Sequence, residues 1–414
     1  MKKYIVGLFL LGFVLTSCRK DDIPAPPDGT EKDRTFFIYM AADNSLGAAG
    51  KTNGEFDYKN IALLLRGVRS YHLLSNNIII YQDPKIANPN QNADYPEWEN
   101  WPKWSDARPR LLEIYTDENG TVAFRTIKQY EEQNSGTGAT LSAVLKEVMD
   151  LYQTPKYGFL MWSHGTGWLP GNPNYNTRAI GQDGSNWIDI EDFADALPDD
   201  TFDYLLFDAC YMAGAEVAYA LRNKADYILA APTEIMGTGM PYHLMPEYLL
   251  GTSPKLETFC DAFYNYYGGA SGNSSISLID TKYLGELAAV VKDILLDVSA
   301  EEVYAIANED MQWFDRLASG AHPYHVFFDL GDYMEEVATP AQYAAFTAAM
   351  KKAVPHYRHS DSFLVNQSPP GFDINSYCGL SAYVPRNTAR LQNVNDYYKT
   401  TDWYRAVYPA SFGF

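Results

Sequence analysis

Tyr157-Gly-Phe-Leu-Met-Trp-Ser163 runs straight into His164, and further on Phe202-Asp-Tyr-Leu-Leu-Phe207 runs into Asp208-Ala-Cys210. Short runs rich in Phe, Leu, Tyr and Trp, bounded by polar or Gly-containing turns, read as buried strands of a parallel sheet rather than as helices. Ligands of open α/β sheets sit beyond the carboxyl ends of such strands. If the two strands are neighbours, the His164 imidazole and the Cys210 thiol meet at one edge of the sheet. Thiolate is the attacking species of a cysteine nucleophile, so Cys210 needs a base, and His164 would take its proton and later return it to a leaving amine. The amides of Gly165 and Cys210 could form an oxyanion hole. A helix read over Ala213 to Arg222 would add its dipole to the thiol.

The flanking pattern extends this sheet. Thr35 to Ala41 reads as a first strand, Asp57 to Val68 as a helix and Asn77 to Tyr81 as a second strand, giving a βαβ unit. Residues 83–109 are rich in Pro and Trp without periodicity and read as a surface insertion. Leu111 to Tyr115 and Thr121 to Thr126 form a hairpin around Asp117-Glu118-Asn119-Gly120. A helix over Thr140 to Leu151 feeds the His164 strand, the stretch from Gly165 to Asn186 is a loop, and Asp189 to Leu197 is a short helix. Another strand follows at Asp226 to Ala231. Alternating strands and helices predict an α/β fold with a mainly parallel sheet and helices on both faces. Beyond about residue 270 longer helices are expected at Tyr283 to Val298, Glu302 to Leu317 and Pro340 to Val354. Late strands at Ser275 to Ile279 and Tyr377 to Val384 would complete the sheet. The domains expected are thus 34–270 and a helical C-terminal part, 271–414.

Composition narrows the class. The chain of 414 residues is 46% apolar and 14% aromatic, which suits a globular protein with a large core. Its formal charge of −20, from 52 acidic and 32 basic residues, argues against nucleic acid or an anionic membrane surface as partner and favours cationic substrates. Lys2, Lys3 and the apolar Tyr4 to Leu15 read as a signal peptide over 1–17. Leu15-Thr-Ser-Cys18 resembles the lipobox of bacterial lipoproteins, which implies acylation of Cys18 and anchoring in an outer membrane. Arg19-Lys-Asp-Asp22 resembles a surface-export tag, and 18–33, with Ile23-Pro-Ala-Pro-Pro-Asp-Gly29, is a Pro-rich tether. With Cys18 lipidated, Cys210, Cys260 and Cys378 remain, an odd number. Cys260, in an amphipathic helix over Leu256 to Tyr267, and Cys378, in a strand-like run, read as buried structural thiols.

Trp162-Ser-His164-Gly-x-Gly-Trp168 and Asp208-Ala-Cys210 resemble the His-Gly and Asp-Ala-Cys signatures of clostripain-type cysteine peptidases, relatives of caspases. Tyr39-Met-Ala-Ala-Asp43-Asn44, Gly138-Ala-Thr-Leu141, Gly239-Met-Pro241-Tyr242, Phe328-Asp-Leu-Gly-Asp332 and Cys378-Gly-Leu-Ser-Ala-Tyr-Val-Pro385 match in order, over roughly residues 34–400. The resemblance implies a caspase-like three-layer sandwich and a His164–Cys210 dyad. It also implies cleavage after Arg or Lys, with Asp208 at the base of the S1 pocket and Thr233 and Glu234 lining it. Strand alternation puts Asp208 on the face of Cys210, where its carboxylate can take a guanidinium bidentately. A second role for Asp208, orienting His164, stays open. Asp183 is a candidate support of the site loop. Relatives mature by one cut between the His and the Cys; Arg178-Ala179 is the only basic bond of the exposed loop, so self-cleavage there is implied. No cofactor is expected. Some relatives use calcium, but no 12-residue acidic loop places an ion.

His322-x-x-His325 and His356-x-x-His359 have helix-face spacing that zinc could use, yet third and fourth ligands are missing and packing histidines are the better reading. The partners expected are Arg- or Lys-containing proteins and peptides, met by a monomer. A different class of function is a retired peptidase-like surface lipoprotein that binds peptide or glycan, for which Trp98, Trp101 and Trp104 would provide contact surface. An intact dyad with Gly beside His164 speaks for the enzyme. Neither a Gly-x-Ser-x-Gly elbow nor a phosphate-cradling loop occurs.

Overall fold

The computed structural model describes residues 32–47, 56–71, 76–85, 108–117, 119–170, 179–316, 324–410 and 412. Cys18, the tether up to residue 31, Arg178, His322 and the three tryptophans of the insertion lie outside the described residues. In chain order the elements are β1 (Arg34–Ala42), α1 (Phe56–Tyr71), β2 (Asn76–Pro84), β3 (Arg110–Thr116), β4 (Val122–Gln129), α2 (Gly138–Leu151) and β5 (Lys156–Trp162). Then come β6 (Ile180–Asp183), β7 (Asn186–Ile188), α3 (Ile190–Ala196), β8 (Phe202–Asp208), α4 (Ala215–Ala220), β9 (Ala225–Ala230), α5 (Met245–Tyr248) and α6 (Leu256–Tyr266). The remainder holds β10 (Ser275–Asp280), α7 (Leu284–Leu295), α8 (Ala300–Ala305), β11 (Phe328–Asp329), α9 (Leu330–Val337), α10 (Pro340–Ala353) and β12 (His356–His359). Last are β13 (Ser362–Phe363), β14 (Phe372–Asp373), β15 (Ser381–Ala382), α11 (Gln392–Tyr398) and α12 (Asp402–Val407).

Nine described strands form the central sheet in the order β12-β10-β9-β8-β5-β1-β2-β3-β4. The inner five run parallel, and both ends are antiparallel: β10 against β9 and β12, β3 against β2 and β4. Every residue of β1 and β2 is buried, because helices cover both faces and no side of the pleat meets water. Alternation sorts the side chains. Phe36, Ile38 and Met40 join Leu64 of α1, Met245 of α5 and Phe259 of α6, whereas Phe37, Tyr39 and Ala41 join Leu145 of α2, Phe193 of α3, Val291 of α7 and Phe346 of α10. The result is a three-layer α/β sandwich. The chain leaves β1 for β2 on one side and returns to β5 on the other, so the topological switch point, where such sheets take their ligands, lies at the carboxyl ends of β1 and β5.

Five segments depart from their sequence-based reading. The helix expected over Ala213 to Arg222 is only Ala215–Ala220, because Ser381 donates its amide to the Ala213 carbonyl and bridges Gly214, holding that segment extended. The helix expected over Glu302 to Leu317 stops at Ala305. Beyond a single tight turn, Met311 to Asp315 is drawn out as Asp315 takes the amides of Val326 (2.9 Å) and Phe327 (3.1 Å). Tyr377 to Val384 does not enter the main sheet. Gly379, at φ 97°, turns the chain, and only Ser381–Ala382 pairs, with β11. The edge strand is instead His356–His359, whose alternation sends the two histidines to opposite faces, so they cannot share one ion. His356 Nε2 is 2.9 Å from Asp261, and His325 stacks on Trp313 at 3.8 Å. Finally, the loop after His164 carries the β6–β7 hairpin.

Burial dominates the carboxylates of this acidic chain. Desolvation lifts Asp57, Glu216 and Asp329 each to about 7 and Asp208 to about 6. Groups raised in the folded state hold protons that the unfolded chain has released. Their contribution is therefore complete below the ordinary carboxylate range and is lost as pH rises through about 6 to 7. Thermal unfolding followed from about pH 5 to about pH 8 is expected to show the melting temperature fall by roughly 5 °C or more; a rise would contradict these protonation states.

Candidate active site

The pairing of β5 with β8 places the two reactive residues. Trp162 is registered against Asp208, so His164 and Cys210 each lie two residues beyond the last matched pair. The loops that carry them touch. A Cβ built on Gly165 would stand 2.9 Å from the Cys210 carbonyl oxygen, 3.1 Å from Ala209 Cβ and 3.3 Å from Met212 Sδ, so only glycine allows this approach. Cys210 and His164 are both half-buried. Directly after the cysteine, Tyr211 adopts φ 62°, a left-handed conformation that costs on the order of 1–3 kcal/mol. Its ring stacks on Phe327 (4.7 Å, 7°), its amide donates to the Thr233 carbonyl (2.9 Å) and its hydroxyl to Glu234 (3.1 Å). These contacts hold the turn that presents the sulfur.

The thiol itself is far from ionised. Burial, then the Glu234 charge, lift it to about 12; the Ile235 amide, which donates to Sγ at 3.3 Å, and the Arg316 guanidinium act the other way, while Asp208 adds to the rise. The helix expected to help is absent at this point, since α4 begins only at Ala215, five residues on, and is too short to exert a strong dipole. Cys210 therefore requires a base.

Asp208 is buried on the α1–α6 side of the sheet. Its Oδ2 accepts from Tyr242 Oη (2.8 Å) and the Met240 amide (3.2 Å). Gly239, at φ 73°, lies so close that a Cβ there would be 2.4 Å from the same oxygen. Thr233 is fully buried, with its hydroxyl 2.8 Å from Ser275; its contribution here is the carbonyl that holds Tyr211. Glu234 is paired within the chain: its carboxylate takes the guanidinium of Arg316, whose other nitrogen donates to the Pro369 carbonyl at 2.9 Å. As a pocket-lining acid, Glu234 is thus already occupied by an arginine of this chain. Asp183 supports the loop from below. With Asp83 it accepts from Ser135, and burial pushes both carboxyls up, the Asp183 charge adding to the rise of Asp83 and the Asp43 charge to that of Asp183.

Ala179 is buried and its carbonyl accepts from the Thr166 amide at 2.9 Å, next to the bridge between Gly165 and Ile180. Cys260 and Cys378 are free thiols, the first buried and the second half-buried between the Gly331 amide and the Leu380 carbonyl. Among the described residues no group of three or more His, Cys, Asp or Glu side chains is placed to hold a metal ion. Sequence reasoning missed Ser45, whose Oγ is 2.7 Å from His164 Nε2, and Arg316. It quoted Tyr242 only as part of a motif. An isolated Ser or Arg carries no local signal of what it will meet.

The family model of the clostripain family matches residues 38–412. Clostripain of Hathewaya histolytica is 23% identical over 352 residues, covering 70% of this chain, and the chain spans only 65% of that protein's length. Among solved structures, an inactive zymogen C11 protease from Parabacteroides distasonis is 32% identical with a TM-score of 0.77, covering 92% of this chain and 99% of its own. A secreted C11 cysteine protease from Bacteroides thetaiotaomicron, solved with an irreversible peptide inhibitor, is 26% identical with a TM-score of 0.70, covering 91% and 98%. With the sheet, the paired strand ends and a match over nearly its whole described length, the chain belongs to the clostripain family.

Proposed function

We propose that this protein is a cysteine endopeptidase that cuts after Arg or Lys through Cys210 and His164. The observation that carries this reading is the β5–β8 register, which sets both residues the same distance past a matched pair, with Gly165 against the Cys210 carbonyl. His164 takes the thiol proton, and the sulfur bonds to the scissile carbonyl carbon. The amides of Gly165 and Cys210 receive the oxyanion. The imidazolium then protonates the departing amine, leaving a thioester, which a water molecule deprotonated by His164 hydrolyses.

Asp208 fits the role of S1 acid better than that of third triad member. It sits beneath Gly239 with Tyr242, and its carboxylate gains from a cation, since burial otherwise lifts it to about 6. A guanidinium or ammonium beside it would also offset the acidic field that holds the thiol protonated. Maturation by a cut between Arg178 and Ala179 would leave the Gly165–Ile180 bridge joining the two fragments, with Ile180 the second residue of the downstream one. Anchoring through an acylated Cys18 would place the enzyme at the outer membrane, and no step of the chemistry calls for a cofactor.

Peptides with Arg, Lys, Leu or Asp before the scissile bond test the reading. Cys210→Ala and His164→Ala are expected to lower kcat/KM on the basic peptides by roughly a thousandfold or more. Asp208→Asn should lower it about a hundredfold on those peptides, with far less change on the others. Wild-type protein that leaves every peptide intact would favour the binding-module reading. Chelation with EDTA should leave the rate unchanged. Arg316→Ala strips Glu234 of its partner beside the thiol, so iodoacetamide should alkylate Cys210 more slowly at about pH 8.

A further inference from the structure

The loop leaving β1 ends against the catalytic histidine. Ser45 is exposed, at the switch-point crevice, with its hydroxyl 2.7 Å from His164 Nε2. Its position is fixed from both sides. Asn44, buried, donates from Nδ2 to the carbonyls of Ala41 (2.8 Å) and Gln182 (3.0 Å) and accepts the Leu46 amide on Oδ1 (2.8 Å). Ser163, the residue before the histidine, donates to the same Ala41 carbonyl (2.9 Å) and accepts the Gln182 amide (2.9 Å). The neighbours of Ser45 and of His164 are thus tied to one set of backbone groups, so the distance between hydroxyl and ring is set by the ends of β1 and β5 rather than by two loose loops.

We propose that Ser45 is a positioning residue for the base: its hydroxyl holds Nε2 of His164 and so commits Nδ1 to the proton exchange with Cys210. This rests on the peptidase reading above. In the neutral ring Nε2–H donates to Ser45 Oγ. When Nδ1 takes the thiol proton, the same bond persists to a ring now carrying charge and strengthens. The hydroxyl stands where a triad would place a carboxylate, while Asp208, the acid nearest Cys210 in the sequence, is engaged with Tyr242 and Met240. A neutral partner orients the ring without raising its basicity as an acid residue would, which leaves the imidazolium a stronger acid toward the departing amine.

The test combines a spectroscopic and a kinetic measurement on the full chain. In protein labelled with 15N at histidine, the His164 resonances are assigned by their loss in His164→Gln. The wild type should show the neutral ring as the Nε2–H tautomer, and Ser45→Ala should shift it toward a mixture. On an Arg peptide, Ser45→Ala should lower kcat roughly tenfold with KM little changed, and Ser45→Thr, which keeps the hydroxyl, should recover most of the rate. An Nδ1–H tautomer in the wild type, or a Ser45→Ala protein with unaltered tautomer and kcat, would overturn the proposal. If no peptide is cut even by the wild type, the peptidase reading fails, and the tautomer alone still decides what Ser45 does to the ring.

Discussion

Parallel hydrogen bonding of β5 to β8, in the register that sets Trp162 against Asp208, is the constraint on which this molecule turns. Both strands are buried on both faces, so a slip by one residue would exchange the two layers of side chains and drive Phe207 and Leu206 into the wrong cores. Hydrophobic sorting therefore fixes the register, and the register fixes where a thiol and an imidazole emerge. Chemistry at the edge is a by-product of packing in the middle.

The C-terminal part is no appendage to this arrangement. Phe328–Asp329 pairs with Ser381–Ala382, Asp329 takes the Cys378 amide at 2.7 Å, and Phe327 supplies the ring on which Tyr211 stacks. The Ser381 amide reaches Ala213, and the Tyr383 amide reaches Glu216. Two motifs distant in the chain thus close together beneath the turn that follows Cys210 and stabilise its left-handed tyrosine. The same contacts shorten the helix after Cys210, which exchanges a dipole for a rigid platform.

Acidic side chains crowd this edge, and each is assigned different partners. Tyr242 and the Met240 amide hold Asp208, Tyr211 and Arg316 hold Glu234, and Ser135 bridges Asp83 and Asp183. Together with burial, the charges of Glu234 and Asp208 push the Cys210 thiol up to about 12 and keep it protonated.

Much of this was legible in the chain itself. Continuous apolar runs such as Phe159 to Trp162 and Leu205 to Phe207 could only be strands covered on two sides, and their abrupt ends named His164 and Cys210. The late strand was misjudged because Tyr377 to Val384 looks apolar enough for a sheet, and only the tertiary path through Gly379 sends it elsewhere. His356 to His359 carries no apolar pattern at all, yet it pairs, since backbone hydrogen bonding to β10 asks nothing of side chains. Glu234 was readable as a pocket acid until the fold brought Arg316 to it across 82 positions of chain. Local pattern determined which segments are strands and which side chains stand at their ends, because burial on both faces writes itself into consecutive residues. Which carboxylate is already paired, and which hydroxyl meets the histidine, was decided only by the tertiary structure, because those partners come from segments that have no sequence relation to one another before the sheet assembles.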